Sequence, residues 1–146
     1  MQQAMREARE TLVLKRFFPA APEKVWRAWI DADALRVWFG QSAAAGWLAE
    51  MDVRVGGRFR FVLQHPDGAR YDAYGAYREV VPGRRLAFTW IWQSGADGAE
   101  AVITVDFAPK EGGTEMDFKL DPVTDQRERD AWRADFRRLG KLLQEG

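Results

Sequence analysis

Residues 121–143 read DPVTDQRERDAWRADFRRLGKLL, and the period of their apolar positions decides the architecture. Trp132, Phe136, Leu139 and Leu143 fall at i, i+4, i+7 and i+11, one narrow face of a helix three turns long. Asp121 followed by Pro122 offers a cap and a first-turn proline. Asp125 and Glu128 stand near the positive end of the helix dipole, and Arg137, Arg138 and Lys141 near its negative end. Burying the four apolar side chains contributes about 6–12 kcal/mol as an upper estimate. A helix with one greasy stripe needs a surface to lie on, and the preceding sequence supplies strands.

Reading back from the helix, Met116, Phe118 and Leu120 alternate with Glu115, Asp117 and Lys119, so Thr114–Leu120 is a strand reached through a turn at Pro109–Gly113. Ala99–Ala108 is another, after a glycine-bearing loop at Ser94–Gly98. Arg84–Gln93 alternates Leu86, Phe88, Trp90 and Trp92 against Ala87, Thr89 and Ile91. Pro82-Gly83 separates it from a long tyrosine-bearing strand, Arg70–Val81. His65-Pro66-Asp67-Gly68 suits a type I turn. Phe59, Phe61 and Leu63 form the strand before that turn, and Met51, Val53 and Val55 form one before the Gly56-Gly57 turn. Thr11–Phe18 is the first strand. Between it and the rest lie two short helices. Pro22 opens the first, carrying Val25, Trp26, Ala28, Trp29 and Ile30; Asp33 caps the second, carrying Leu35, Trp38 and Phe39 before Gly40. Short connections make the sheet antiparallel.

Composition excludes several classes of function. The chain has 146 residues, no cysteine and one histidine, with 22 basic against 22 acidic side chains. No disulfide framework, thiolate zinc site or cysteine nucleophile is available, and no histidine pair offers the common metal patterns. Zero net charge gives no general grip on nucleic acid or an anionic membrane. The longest apolar stretch, Ala43–Ala49, is far below the length of a membrane span. The opening residues show no signal-peptide pattern, so the expected location is the cytoplasm. His65 sits in a turn, away from the expected interior. Gly56-Gly57 and Gly112-Gly113 connect strands and do not lead into a helix, so neither is a phosphate cradle. No cofactor is expected.

A broad sheet must curl because strands twist. One helix about 10–12 Å wide does not fill the concave side of such a sheet. The leftover space is either plugged by large side chains or open as a pocket. With 7 tryptophans, 9 phenylalanines and 3 tyrosines in the chain, the sequence supports both outcomes.

The ordered motifs add a resemblance. Ala21-Pro22-Glu23-Lys24-Val25-Trp26 after a strand, Leu35-Arg36-Val37-Trp38-Phe39-Gly40, Val53-Arg54-Val55-Gly56-Gly57, Asp67-Gly68, Glu79-Val80-Val81-Pro82 with Arg85-Leu86, and Gly113-Thr114 together resemble the START-like (SRPBCC) superfamily. They point to the branch similar to the C-terminal domain of the activator of the heat-shock-protein-90 ATPase. The resemblance implies an α+β helix-grip fold: a curved seven-stranded antiparallel sheet in the order β-α-α-β6-α, wrapped around the long C-terminal helix. It implies a polar tail over residues 1–9 and one START-like domain over 10–146. Ala131 stands before Trp132 where the family usually has glycine, and Asp121-Pro122 replaces a junction where many members carry histidine.

The resemblance also frames the function. The first expectation is a small apolar or aromatic ligand held in an internal cavity. Its wall residues would be Trp90, Trp92, Trp132 and Phe136, then Phe39, Phe61 and Tyr74, with Tyr71 and Tyr77 on the alternative face of the tyrosine strand. The second is a protein-interaction module with a chaperone partner; full-length co-chaperones of that kind carry a further N-terminal domain. The third is a cyclase- or dehydratase-like enzyme, which would need a buried acid or base. A homodimer is left open. Glu128 and Arg129, on the backward extension of the helix stripe, are candidates for a ligand gate.

Overall fold

Seven strands form one antiparallel sheet in the order β1-β7-β6-β5-β4-β3-β2, so the chain closes its first strand against its last. The computed structural model describes residues 10–39, 46–64, 68, 70–92, 100–123 and 126–145. The elements are β1 (Glu10–Phe18), α1 (Pro22–Ile30), α2 (Ala32–Trp38), β2 (Gly46–Met51), β3 (Arg58–Gln64), β4 (Arg70–Val81), β5 (Arg85–Trp92), β6 (Glu100–Lys110), β7 (Gly113–Val123) and α3 (Gln126–Glu145). This is the helix-grip arrangement: β2 to β7 meander, β1 pairs with β7, and α3 follows β7. The expected tail over residues 1–9, the turn at His65–Asp67 and the loop at Ser94–Gly98 lie outside the described residues.

The alternation read from the strands is the alternation of burial. Leu12 and Leu14, then Phe59, Phe61 and Leu63, and Met116, Phe118 and Leu120 all point inward, and Trp132, Phe136, Leu139 and Leu143 of α3 are buried against them. The outer face carries charge pairs between neighbouring strands. Arg85 bonds Asp106 at 2.9 Å and also pairs with Glu79, while Lys15 stands 3.8 Å from Asp117. These pairs are exposed and hold the surface in water more than they stabilise it.

Four boundaries differ from the sequence reading. Asp121 and Pro122 do not cap α3. They continue β7, Asp121 opposite Val102 and Val123 opposite Glu10, and the helix begins at Gln126. Val123 is buried, and its place in the core and against edge strand β1 outweighs proline's preference for a helix start. Pro109 likewise stays in β6, opposite Thr114, and the connection is the two-residue turn Glu111-Gly112. Strand β2 stops at Met51, and Val53 and Val55 belong to a turn in which the Gly57 N–H bonds the Arg54 carbonyl at 2.8 Å. Two bonds then dock that turn on β4: Gly56 N–H to the Tyr77 carbonyl and Tyr77 N–H to the Gly57 carbonyl, each 2.9 Å. The cap of α2 is Asp31 and not Asp33, because the Asp31 carboxylate accepts the Asp33 N–H at 3.0 Å.

Candidate functional site

Three layers meet inside the sheet. Helices α1 and α2 bring Trp29, Leu35 and Phe39 from one side, α3 brings Trp132, and β3 to β5 supply the wall of Phe59, Phe61, Tyr77, Leu86, Phe88 and Trp90. The helices are fixed where they meet: the Trp38 indole N–H bonds the Ala28 carbonyl at 2.9 Å, and Arg138 of α3 bonds the Trp38 carbonyl at 3.2 Å while pairing with buried Asp135. Lys24 of α1 bonds the Leu143 carbonyl at the end of α3 at 3.1 Å.

The rings pack edge-to-face and tilted, the geometries their quadrupoles favour. Phe39 lies 5.5 Å from Phe61 and 5.7 Å from both Trp90 and Trp132. Trp132 lies 4.7 Å from Phe118, and Phe136 touches Trp29, Trp38, Phe118 and Trp132. The space left between the lining residues is about 20 Å³, room for a single water. Of the two outcomes the sequence allowed, plugged or open, the space is nearly plugged: aromatic side chains occupy almost all of it.

Of the seven wall residues expected from sequence, Phe39, Phe61, Trp90 and Trp132 line this space, and Phe136 packs behind Trp132. The side chain of Trp92 lies outside the described residues. Tyr74 is on the other face of β4: it stands opposite Arg60 and Ile91, with Ala73 and Tyr77 pointing inward. Of these two tyrosines the inward one is Tyr77, and the side chain of Tyr71 lies outside the described residues. A sequence signal for Tyr77 existed, since Ala73 and Gly75, four and two residues before it, are small enough to share a face with the large rings of β3 and β5. Phe88, of the same alternating set as Trp90, also lines the space, and so do Trp29, Leu35, Phe59 and Leu86, which the sequence reading did not single out as ligand contacts. Glu128 and Arg129 are not among the lining residues, and Arg129 pairs with Glu10 of β1.

Among the described residues lining the space, Tyr77 is the one titratable group, and its hydroxyl pKa is pushed well above the ordinary tyrosine range, first by burial and then by the negative charge of Asp52. It is a neutral hydrogen-bonding group at physiological pH. In the unfolded chain this hydroxyl ionises near pH 10. Above that pH the unfolded state releases a proton that the folded state keeps, so stability falls as pH rises. The slope from this group approaches about 1.4 kcal/mol per pH unit. Urea midpoints of the protein and of Tyr77→Phe at pH 9, 10 and 11 check this. The substitution should flatten the alkaline decline, and equal slopes would show that Tyr77 titrates normally. Trp29 is buried, and its indole N–H has no hydrogen-bond partner among the described residues. No group of three metal-ligating side chains, and no helix long and apolar enough to cross a membrane, occurs among the described residues.

Comparison with known proteins fits this architecture. A protein of Chromobacterium violaceum is 25% identical and superposes with a TM-score of 0.80 over 92% of this chain and 96% of that one. An uncharacterised Rhizobium leguminosarum protein, 24% identical, shares the fold with a TM-score of 0.82 over 94% and 96% of the two chains. The mouse activator of 90 kDa heat shock protein ATPase homolog 1 is 26% identical over 124 residues, 83% of this chain and 33% of the relative, so the chain spans about a third of that protein's length. The family model described as activator of Hsp90 ATPase homolog 1-like protein matches residues 19–144, from the start of the helical insertion to the last turn of α3, and the chain belongs to that family.

Proposed function

We propose that the chain binds a small apolar or aromatic molecule between α3 and the β3–β5 wall. The aromatic lining carries this reading: Phe39, Phe61, Trp90 and Trp132 converge on one space from a short helix, two strands and α3. Only about 20 Å³ is empty, so a guest enters by displacing a side chain. Phe39 is the one placed to yield. It caps the seven-residue α2, whose short span holds it less firmly than a sheet holds Phe61 or Trp90.

A naphthalene-sized guest buries about 200 Å² of its own apolar surface, worth about 5 kcal/mol at about 25 cal/mol per Å². That corresponds to dissociation constants of about 0.1–1 mM for simple probes, and the natural ligand improves on it through polar contacts. Titration with a panel of neutral bicyclic aromatics should quench tryptophan fluorescence saturably. At about ten times the dissociation constant it should raise the melting temperature by about 3–6 °C. A panel that gives neither effect at any concentration overturns the reading.

A second reading follows from the likeness to the mouse ATPase activator. Here the chain docks on a 90 kDa heat-shock chaperone as a protein-interaction module. Co-precipitation with the chaperone and a rise in its ATPase rate would support this, and absence of both closes it. The enzyme alternative finds less support. Tyr77 is held neutral and is poorly suited to act as a base, and no carboxylate is among the residues lining the space.

A further inference from the structure

We propose that the molecule held in this interior is neutral and carries a hydrogen-bond acceptor, a carbonyl or ether oxygen, that takes the indole N–H of Trp29. The inference rests on the ligand-binding reading above and narrows it to a chemical class. Buried indole N–H groups ordinarily find an acceptor, as Trp38 does in the Ala28 carbonyl at 2.9 Å. Trp29, next to Ala28 on α1, is also buried and has none among the described residues. Its ring neighbours are Trp38, Phe88, Phe118 and Phe136, whose side chains contain no oxygen. No described residue supplies an acceptor, and Trp29 lines a space with room for one from a bound molecule.

The rest of the lining sets the class. Tyr77 also lines the space, and its hydroxyl stays protonated at physiological pH, a second donor among the lining residues. Among the described residues no charged side chain lines it, so a carboxylate or ammonium would enter without a partner there, at a prohibitive desolvation cost. Two donors and aromatic walls fit a flat, uncharged molecule with an oxygen acceptor at its edge. A single water fits the same space and would be the group such an oxygen displaces.

A matched pair of probes tests this: 2-acetylnaphthalene and 2-isopropenylnaphthalene, alike in shape, with an oxygen where the other has a methylene. Both are titrated into the full chain and into Trp29→Phe, with tryptophan fluorescence and the indole ¹H–¹⁵N resonances as readouts. The ketone should bind about tenfold more tightly than the alkene to the unaltered protein, and to within about twofold of it in Trp29→Phe. The Trp29 indole resonance is assigned by through-bond correlation in the unaltered protein, and it should move downfield with the ketone alone. That resonance is read in the unaltered protein, so the test holds even if the variant folds poorly. Equal binding of the two probes, or a downfield move with both, overturns the acceptor inference while ligand binding stands. If neither probe binds, the ligand-binding reading falls and the inference falls with it.

Discussion

Gly75→Ala is expected to cost about 4 kcal/mol or more, a large part of the 5–15 kcal/mol by which a domain is ordinarily stable. A Cβ at Gly75 would stand 2.0 Å from the Thr89 carbonyl oxygen and 2.9 Å from the Phe59 ring. Neither can retreat cheaply, because the first is backbone of β5 and the second is packed against Phe61, Tyr77, Phe88 and Trp90. Between the pairs Tyr74–Ile91 and Tyr77–Phe88 of the β4–β5 ladder, the Thr89 hydroxyl accepts the Ala76 N–H at 2.8 Å. Glycine lets the two strands come this close. Gly83→Ala is the control. Gly83 has φ +74° with nothing within 4 Å of an added Cβ, so only the left-handed backbone is penalised, by about 1–2 kcal/mol. Urea unfolding of the two variants decides it, and equal losses would mean the close approach does not constrain the sheet.

Phe39→Ala should cost about 3–5 kcal/mol and in exchange create a binding site for benzene. Truncation removes a ring that contacts Trp38, Phe61, Trp90 and Trp132 and joins its volume to the existing space of about 20 Å³. Apolar cavities of about 150 Å³ stay dry and accept benzene. Saturating benzene should raise the variant's melting temperature by several degrees and that of the unaltered protein by less. A variant that loses under about 1 kcal/mol would show that the Phe39 ring is not packed as described. Equal benzene shifts in the two proteins would show that another side chain yields to a guest.

The two substitutions separate what a reader of the sequence can see from what needs coordinates. Gly75 is one glycine among 13, and nothing in its neighbours says that a carbonyl of another strand sits against it. Phe39 was legible as a candidate because it ends a short apolar helix before a glycine. That its ring bridges β3, β5 and α3 depends on how the helical insertion lies over the sheet. Tyr74 and Tyr77 show the same limit on one strand. Alternation puts three residues between facing opposite ways, yet which set is concave depends on the neighbouring strands. The Asp121-Pro122 junction failed for a related reason, since its local preference for a helix start was overruled by the pairing of Val123 with Glu10, more than a hundred residues away.

Local periodicity by itself determined the strand and helix order, the antiparallel meander and the buried stripe of α3, because periods of two and 3.6 residues are written in neighbouring positions. Only the tertiary structure decided that the aromatic side chains nearly fill the bowl, that Tyr77 and not Tyr74 faces it, and that the Trp29 N–H is left without a partner among the described residues. Packing density, facing and hydrogen-bond satisfaction are properties of atoms brought together from distant parts of the chain, and no window of sequence contains them.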